Sequence, residues 1–205
     1  MKKLDSMQAL YVDQLRDLRS AEAQLVEALP RAAKAAASPD LKAAIQEHLD
    51  VTREQLARVD ALLEGLAEGR SRATCKGMAG LIKEANETLE ADGDPQVRDA
   101  GLIAAAQRIE HYEIAGYGCA AAYAELLGDG AAAAELRMSL KEERAADTVL
   151  NDLAQKVVNP AAAEGEAEPA EDDEAEDEDG KQPNARGRRS TRPTKRRGRA
   201  NARVE

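Results

Sequence analysis

The sequence predicts an all-α fold, with four long helices and one short one packed as an antiparallel bundle. Three observations lead there. Ala fills 43 of 205 positions, Phe and Trp are absent and four Tyr supply all the aromatic surface. Such a composition favours helices over sheets. Apolar residues recur at helical spacing over long stretches. A capping residue followed by proline occurs at Ser38-Pro39 and again at Asp94-Pro95, a pattern that starts helices. The same features argue against a β-sandwich or barrel and against a protein that stacks bases on aromatic rings. No apolar run approaches the ~18 residues of a membrane span. Met1-Lys2-Lys3 is followed by Asp5 and Ser6 rather than by an apolar stretch, so a cytoplasmic protein without membrane contact is expected.

The net charge of −10 is unevenly placed. Residues 1–158 carry −8, residues 159–180 carry −11 with no base, and residues 181–205 carry +9. Residues 1–158 are expected to form the helical domain. Residues 159–180 read as an acidic disordered linker and 181–205 as a basic disordered tail, because neither can bury enough apolar surface to offset ordering.

The first helix is expected from Leu4 to about Ala36, kinked or broken at Pro30. The second starts at Ser38-Pro39 and runs to about Ala67, closed by Gly69. A short amphipathic helix spans about Met78 to Glu90. The third long helix runs from Asp94-Pro95 to near Gly128. The fourth is capped by Asp129 and continues to about Val157. The long second-to-third connection, which carries the short helix, is the expected crossover.

Polar residues interrupt the apolar stripes on all four long helices. In the first, Glu22 lies between Leu18 and Leu25 on a heptad face that also holds Tyr11 and Leu15. In the second, the stripe Leu41, Ile45, His48, Thr52, Leu56, Val59, Leu63 contains His48, with Gln55 near its edge. In the third, Ile103, Ala106, Glu110, Glu113 and Tyr117 face inward, and Glu110 and Glu113 are i,i+3 neighbours. In the fourth, Leu136, Leu140, Glu143, Asp147 and Leu150 fall within about 80° of one another. Glu142 falls off that stripe and reads as solvated, and His111 points away from Glu110. A buried carboxylate must be paired, protonated or metal-bound. Five carboxylates and a His on four facing helices match the ligand set of a di-iron or di-manganese bundle site. Hard oxygen and imidazole donors suit Fe or Mn, with Zn a further option. A structural polar network is the alternative.

The sequence also resembles the ferritin-like bacterial stress proteins of the YciE/YciF type. The resemblance is carried by Ser20-Ala21-Glu22 with Ala28-Leu29-Pro30, Glu47-His48-Leu49, Cys75-Lys76-Gly77-Met78, Gly80 to Asn86, Arg98 to Gln107, Glu110-His111-Tyr112-Glu113-Ile114 with Tyr117-Gly118, and Glu142-Glu143 through Asp147. It implies a ferritin-like four-helix bundle, a homodimer, a role in general, oxidative or osmotic stress, and a carboxylate metal site. The ligand role carries over to Glu22, Glu110, Glu113, Glu143 and Asp147. Members of the family often carry a Glu where this chain has Val51, so the second helix offers His48 alone. One or two ions are therefore both expected stoichiometries, and whether the protein turns over a substrate stays open.

Cys75 and Cys119 have no metal-binding spacing and read as reduced thiols. Tyr117 could donate a hydrogen bond to a carboxylate or simply fill the core. Arg and Lys in the basic tail suit weak, nonspecific contact with a nucleic-acid backbone, which the acidic block would oppose. The alternative function is therefore a non-enzymatic helical dimer serving as an interaction or nucleic-acid-associated module. An iron-storage cage is a weaker third reading.

Overall fold

Ser6, Ser38, Cys75, Asp94 and Asp129 each accept a hydrogen bond from a backbone N–H of the turn that follows. Each thereby satisfies an otherwise orphaned donor and starts a helix. The computed structural model describes residues 4–68 and 74–164. These caps open α1 (Met7–Ala35), α2 (Pro39–Gly65), α3 (Lys76–Glu90), α4 (Pro95–Leu126) and α5 (Gly130–Leu153). No strand occurs among the described residues.

Long-range contacts give the topology. Arg19 meets Asp60 at 2.7 Å and Arg16 meets Glu68 at 2.6 Å, so α1 and α2 run antiparallel. Gln107 meets Asp147 at the middle of α4 and α5, and Glu125 meets Arg137 near their joining turn. Tyr117 and Tyr112 of α4 bond Glu22 and Asp17 of α1, while Gln55 and Arg58 of α2 bond Glu143 and Ser139 of α5. The helices thus form a ring in the order α1, α2, α5, α4. In it α2 and α4 point the same way, so the chain between them must travel back along the bundle. That crossover contains α3, which packs on α1 and α4 through Met78, Leu25 and Ile109.

Two apolar layers close the bundle. One gathers Tyr11, Leu15, Leu18, Val59, Leu63, Tyr117 and Leu136. The other gathers Ala33, Leu41, Ile45, Leu102, Ile103 and Leu150. Gly116 lets α1 and α4 approach closely, because a Cβ there would stand 2.8 Å from Leu18 Cδ2. Asp99 of α4, which the sequence stripes did not single out, is buried and accepts from Ala37 N and Ser38 N. It fixes the α1–α2 turn.

Three boundaries differ from expectation. Of the kink or break expected at Pro30, the break does not occur and α1 continues to Ala35, because Leu29 and Ala33 on either side of it are held in the core. The second helix closes at Ala67 rather than at Gly69, which lies outside the described residues. Ala67 takes φ 56°, with Glu68 N bonded to Leu63 O and Ala67 N to Glu64 O. The α4 end repeats this Schellman geometry with Gly128 at φ 83°, where no Cβ strain arises. The left-handed conformation costs Ala67 about 1 kcal/mol that Gly128 avoids.

The third difference concerns the end of the domain. After α5 a π-helical turn (Ala154–Val158) leads into α6 (Asn159–Glu164). The wider turn keeps Val158 buried against the Leu102–Leu150 layer and places Pro160 in the first turn of α6, where its missing N–H is harmless. The helix therefore extends six residues past the expected boundary at 158. The chain divides into Met1–Pro169 and Ala170–Glu205. The bulk of the acidic block, and all of the basic tail, lie outside the described residues.

Candidate metal centre

Between the two apolar layers the bundle core turns polar. Glu22 comes from α1, His48 and Gln55 from α2, Glu110 and Glu113 from α4, and Glu143 from α5. The four Glu and Gln55 are buried; His48 is nearly so. One ligand atom from each of His48, Glu110, Glu113 and Glu143 lies within 4.8 Å of the others.

Some of these oxygens are held in place. Tyr117 donates to Glu22 Oε1 and Gln55 donates to Glu143 Oε1. Arg58 stands behind the cluster, bonded to Ser139 Oγ and to both carboxylate oxygens of Glu142. His48 Nε2 stands 3.2 Å from Glu110 Oε1, but off the line of a hydrogen bond. The other oxygens are buried without a partner: Glu22 Oε2, Glu110 Oε2, Glu143 Oε2 and both oxygens of Glu113. Buried polar atoms are almost always satisfied, and a cluster of exceptions calls for a reason. A cation or shared protons would satisfy them.

The electrostatics agree. Burial and then repulsion from Glu143 push Glu22 up to about 8. Burial raises Glu143 to about 7, against the pull of its hydrogen-bond partners and Arg58. Glu110 and Glu113 are both driven well above the carboxylate range, by burial first and by their acidic neighbours second. Desolvation lowers His48 to about 4, so its imidazole is neutral at physiological pH and free to offer a lone pair. Without a cation the carboxyls share protons, and a divalent cation would displace them.

Five of the six sequence-derived candidates meet here: Glu22, His48, Glu110, Glu113 and Glu143. Asp147 does not join them. It lies one turn beyond Glu143 at the edge of the bundle, 26% exposed, 3.5 Å from His111 and 3.3 Å from Gln107. Glu142 is not simply solvated either, because it carries the Arg58 ion pair. Gln55 is more central than its edge position suggested. Its signal was available, since it falls seven residues after His48 and so on the same helical face. Val51 lies beside His48 and brings no donor. Cys75 is buried and Cys119 exposed, and both are free thiols.

The sequence and the helical fold are shared with known proteins. Residues 6–163 match the family model described as a domain of unknown function, DUF892. The chain is 43% identical over 160 residues to Protein YciF of Escherichia coli K12, covering 78% of this chain and 96% of that one. The crystal structure of the E. coli stress protein YciF superimposes with a TM-score of 0.73, over 76% of this chain and 99% of that one. The protein YcfI of Rhodopseudomonas palustris is 40% identical with a TM-score of 0.70, over 73% and 96% of the two chains. A Xanthomonas campestris protein shares the fold at 20% identity, with a TM-score of 0.63 over 78% of this chain and 99% of that one. With the family model spanning nearly the whole bundle, the chain belongs to the DUF892 family, the ferritin-like family of the stress protein YciF.

Proposed function

We propose that this protein binds iron or manganese within its bundle and serves in a stress response. The observation that carries the reading is the convergence of His48, Glu110, Glu113 and Glu143 within 4.8 Å, with unpartnered oxygens between them. The donor set is one imidazole and hard carboxylates, which suits Fe or Mn. Glu22 adds a further oxygen at the margin of the group. When bound, such an ion supplies redox or Lewis-acid chemistry toward a small oxygen species such as peroxide. The chain's own residues do the rest. Tyr117 and Gln55 each hold one oxygen of Glu22 and Glu143, which leaves the second oxygen turned to the cluster. The apolar layers above and below close the two ends of the cluster, and the neutral His48 needs no deprotonation. Membership in the family of a stress protein supports the physiological half of the reading.

Elemental analysis of the full chain purified without chelator tests it. One to two equivalents of Fe or Mn per chain are expected, falling to background in the Glu22→Ala/Glu113→Ala double variant. Unchanged metal content in that variant would remove the site. Because the tail of residues 181–205 carries +9, a second reading is a homodimeric helical module that touches nucleic acid through the tail. An electrophoretic shift at low salt that persists after deletion of residues 181–205 would eliminate that role. Light scattering would decide between dimer and monomer.

A further inference from the structure

A cavity of about 240 Å³ lies between α2 and α5, and His48 and Glu110 form part of its lining. Its α2 wall is Ala44, Ile45 and Val51, and its α5 wall is Ala146, Val149 and Leu150. Ala44 on one wall and Ala145 and Ala146 on the other leave the space between the two helices unfilled. Val149 is 48% exposed and Glu47 is exposed, so the cavity opens to solvent along that edge. Among the described polar residues of the lining, Glu110 is buried and His48 nearly so, while Glu142 is partly exposed and Glu47 exposed. His48 Nε2 and Glu110 Oε2 are buried and unpartnered.

We propose that this opening is a binding pocket for a small, neutral, apolar molecule that ends in a hydroxyl group. The walls fit the body of such a molecule, since apolar lining binds by displacing poorly held water. A cavity of ~150 Å³ suffices for benzene, so this one takes a somewhat longer body, on the scale of a medium-length alkyl chain. The inner end selects the head group. A hydroxyl gives its one proton to whichever of Glu110 Oε2 and His48 Nε2 is bare and accepts from the other where that one is protonated, whereas a carboxylate has no proton to donate. The head-group end shares His48 and Glu110 with the metal-binding reading above and rests on it to that extent; the apolar walls do not.

Calorimetric titration of the full chain with 1-octanol, chelator-treated and metal-loaded, tests the pocket. Saturable binding of one molecule per chain is expected. Ala146→Phe and Ala44→Leu fill the cavity from opposite walls, and each is expected to weaken binding at least tenfold with an unchanged circular dichroism spectrum. No saturable heat in either metal state overturns the pocket, as does binding that neither variant disturbs. If the face instead covers a second copy of the chain, octanol fails to bind and Val149→Glu dissociates a dimer in light scattering, which also overturns it. Metal content is measured on the same samples. Octanol binding by a chain that takes up no metal on loading refutes the metal site and keeps the pocket, and metal uptake with no octanol binding in either state does the reverse.

Discussion

The layer around Leu15 and Leu136 and the layer around Glu22 and Glu143 are built by the same four helices. Leu15 and Glu22 are seven residues apart on α1, and Leu136 and Glu143 are seven apart on α5. Each pair therefore shares a helical face about 10 Å apart along the axis. The first layer is sealed and apolar. The second holds four buried carboxyls, most of whose oxygens lack partners. A heptad step that exchanges leucine for glutamate thus turns a stabilising layer into a binding one. The comparison teaches that the polar layer is carried by its neighbours: it destabilises the fold, and the apolar layers offset it.

The largest test strikes the apolar side. Leu136→Ala should cost about 2–5 kcal/mol and lower Tm by roughly 5–15 °C while leaving metal content unchanged. A loss below 1 kcal/mol would mean that this layer does not carry the bundle. The next test titrates the polar side in chelator-treated protein. Folding favours the protonated carboxyls, so their contribution is complete below their ordinary value of 4.5. It is lost as pH climbs toward about 7 for Glu143 and about 8 for Glu22. His48 acts oppositely, losing stability as pH falls from 6.5 toward about 4, but it is one group against four. Melts should therefore show a lower Tm at pH 8 than at pH 5, with added manganese removing the difference. The reverse order would show that the layer is fully ionised.

A smaller effect of opposite sign is expected from Glu113→Leu. Replacing a buried carboxyl crowded by Glu22, Glu143 and Glu110 by an apolar group of similar size should stabilise the metal-free protein by about 1–3 kcal/mol and abolish metal uptake. Destabilisation in chemical denaturation would show that Glu113 has a structural partner. Smallest is Tyr117→Phe, at the seam between the layers. Loss of its bond to Glu22 should cost about 1 kcal/mol, and the metal content should drop without vanishing. Identical metal content would mean that Glu22 needs no positioning.

Most of the bundle was legible because caps and stripes are local. Ser38, Asp94 and Asp129 mark their helices within a residue or so. Glu22, His48, Glu110, Glu113 and Glu143 were legible because a polar residue on an apolar stripe has few places to go. What failed depends on neighbours. Asp147 sits on the same stripe as Glu143, yet one further turn carries it to the bundle edge and to His111. Glu142 is off the stripe by angle but is reached by Arg58 from α2. Asp99 serves a turn some sixty residues earlier in the chain, and no spacing within α4 announces that. A break at Pro30 was averted by packing on both sides of it.

The parallel course of α2 and α4 has a kinetic consequence. Each antiparallel hairpin, α1–α2 and α4–α5, is closed by a short turn and can collapse on its own, whereas Tyr112–Asp17 and Tyr117–Glu22 join residues 95 positions apart. Such distant pairings are the slow ones to form. The first hairpin brings Glu22 and His48; the second brings Glu110, Glu113 and Glu143. Neither half holds the full set, so the cluster comes into being only at the late encounter of the hairpins. The rate at which refolding protein acquires metal would then clock that encounter.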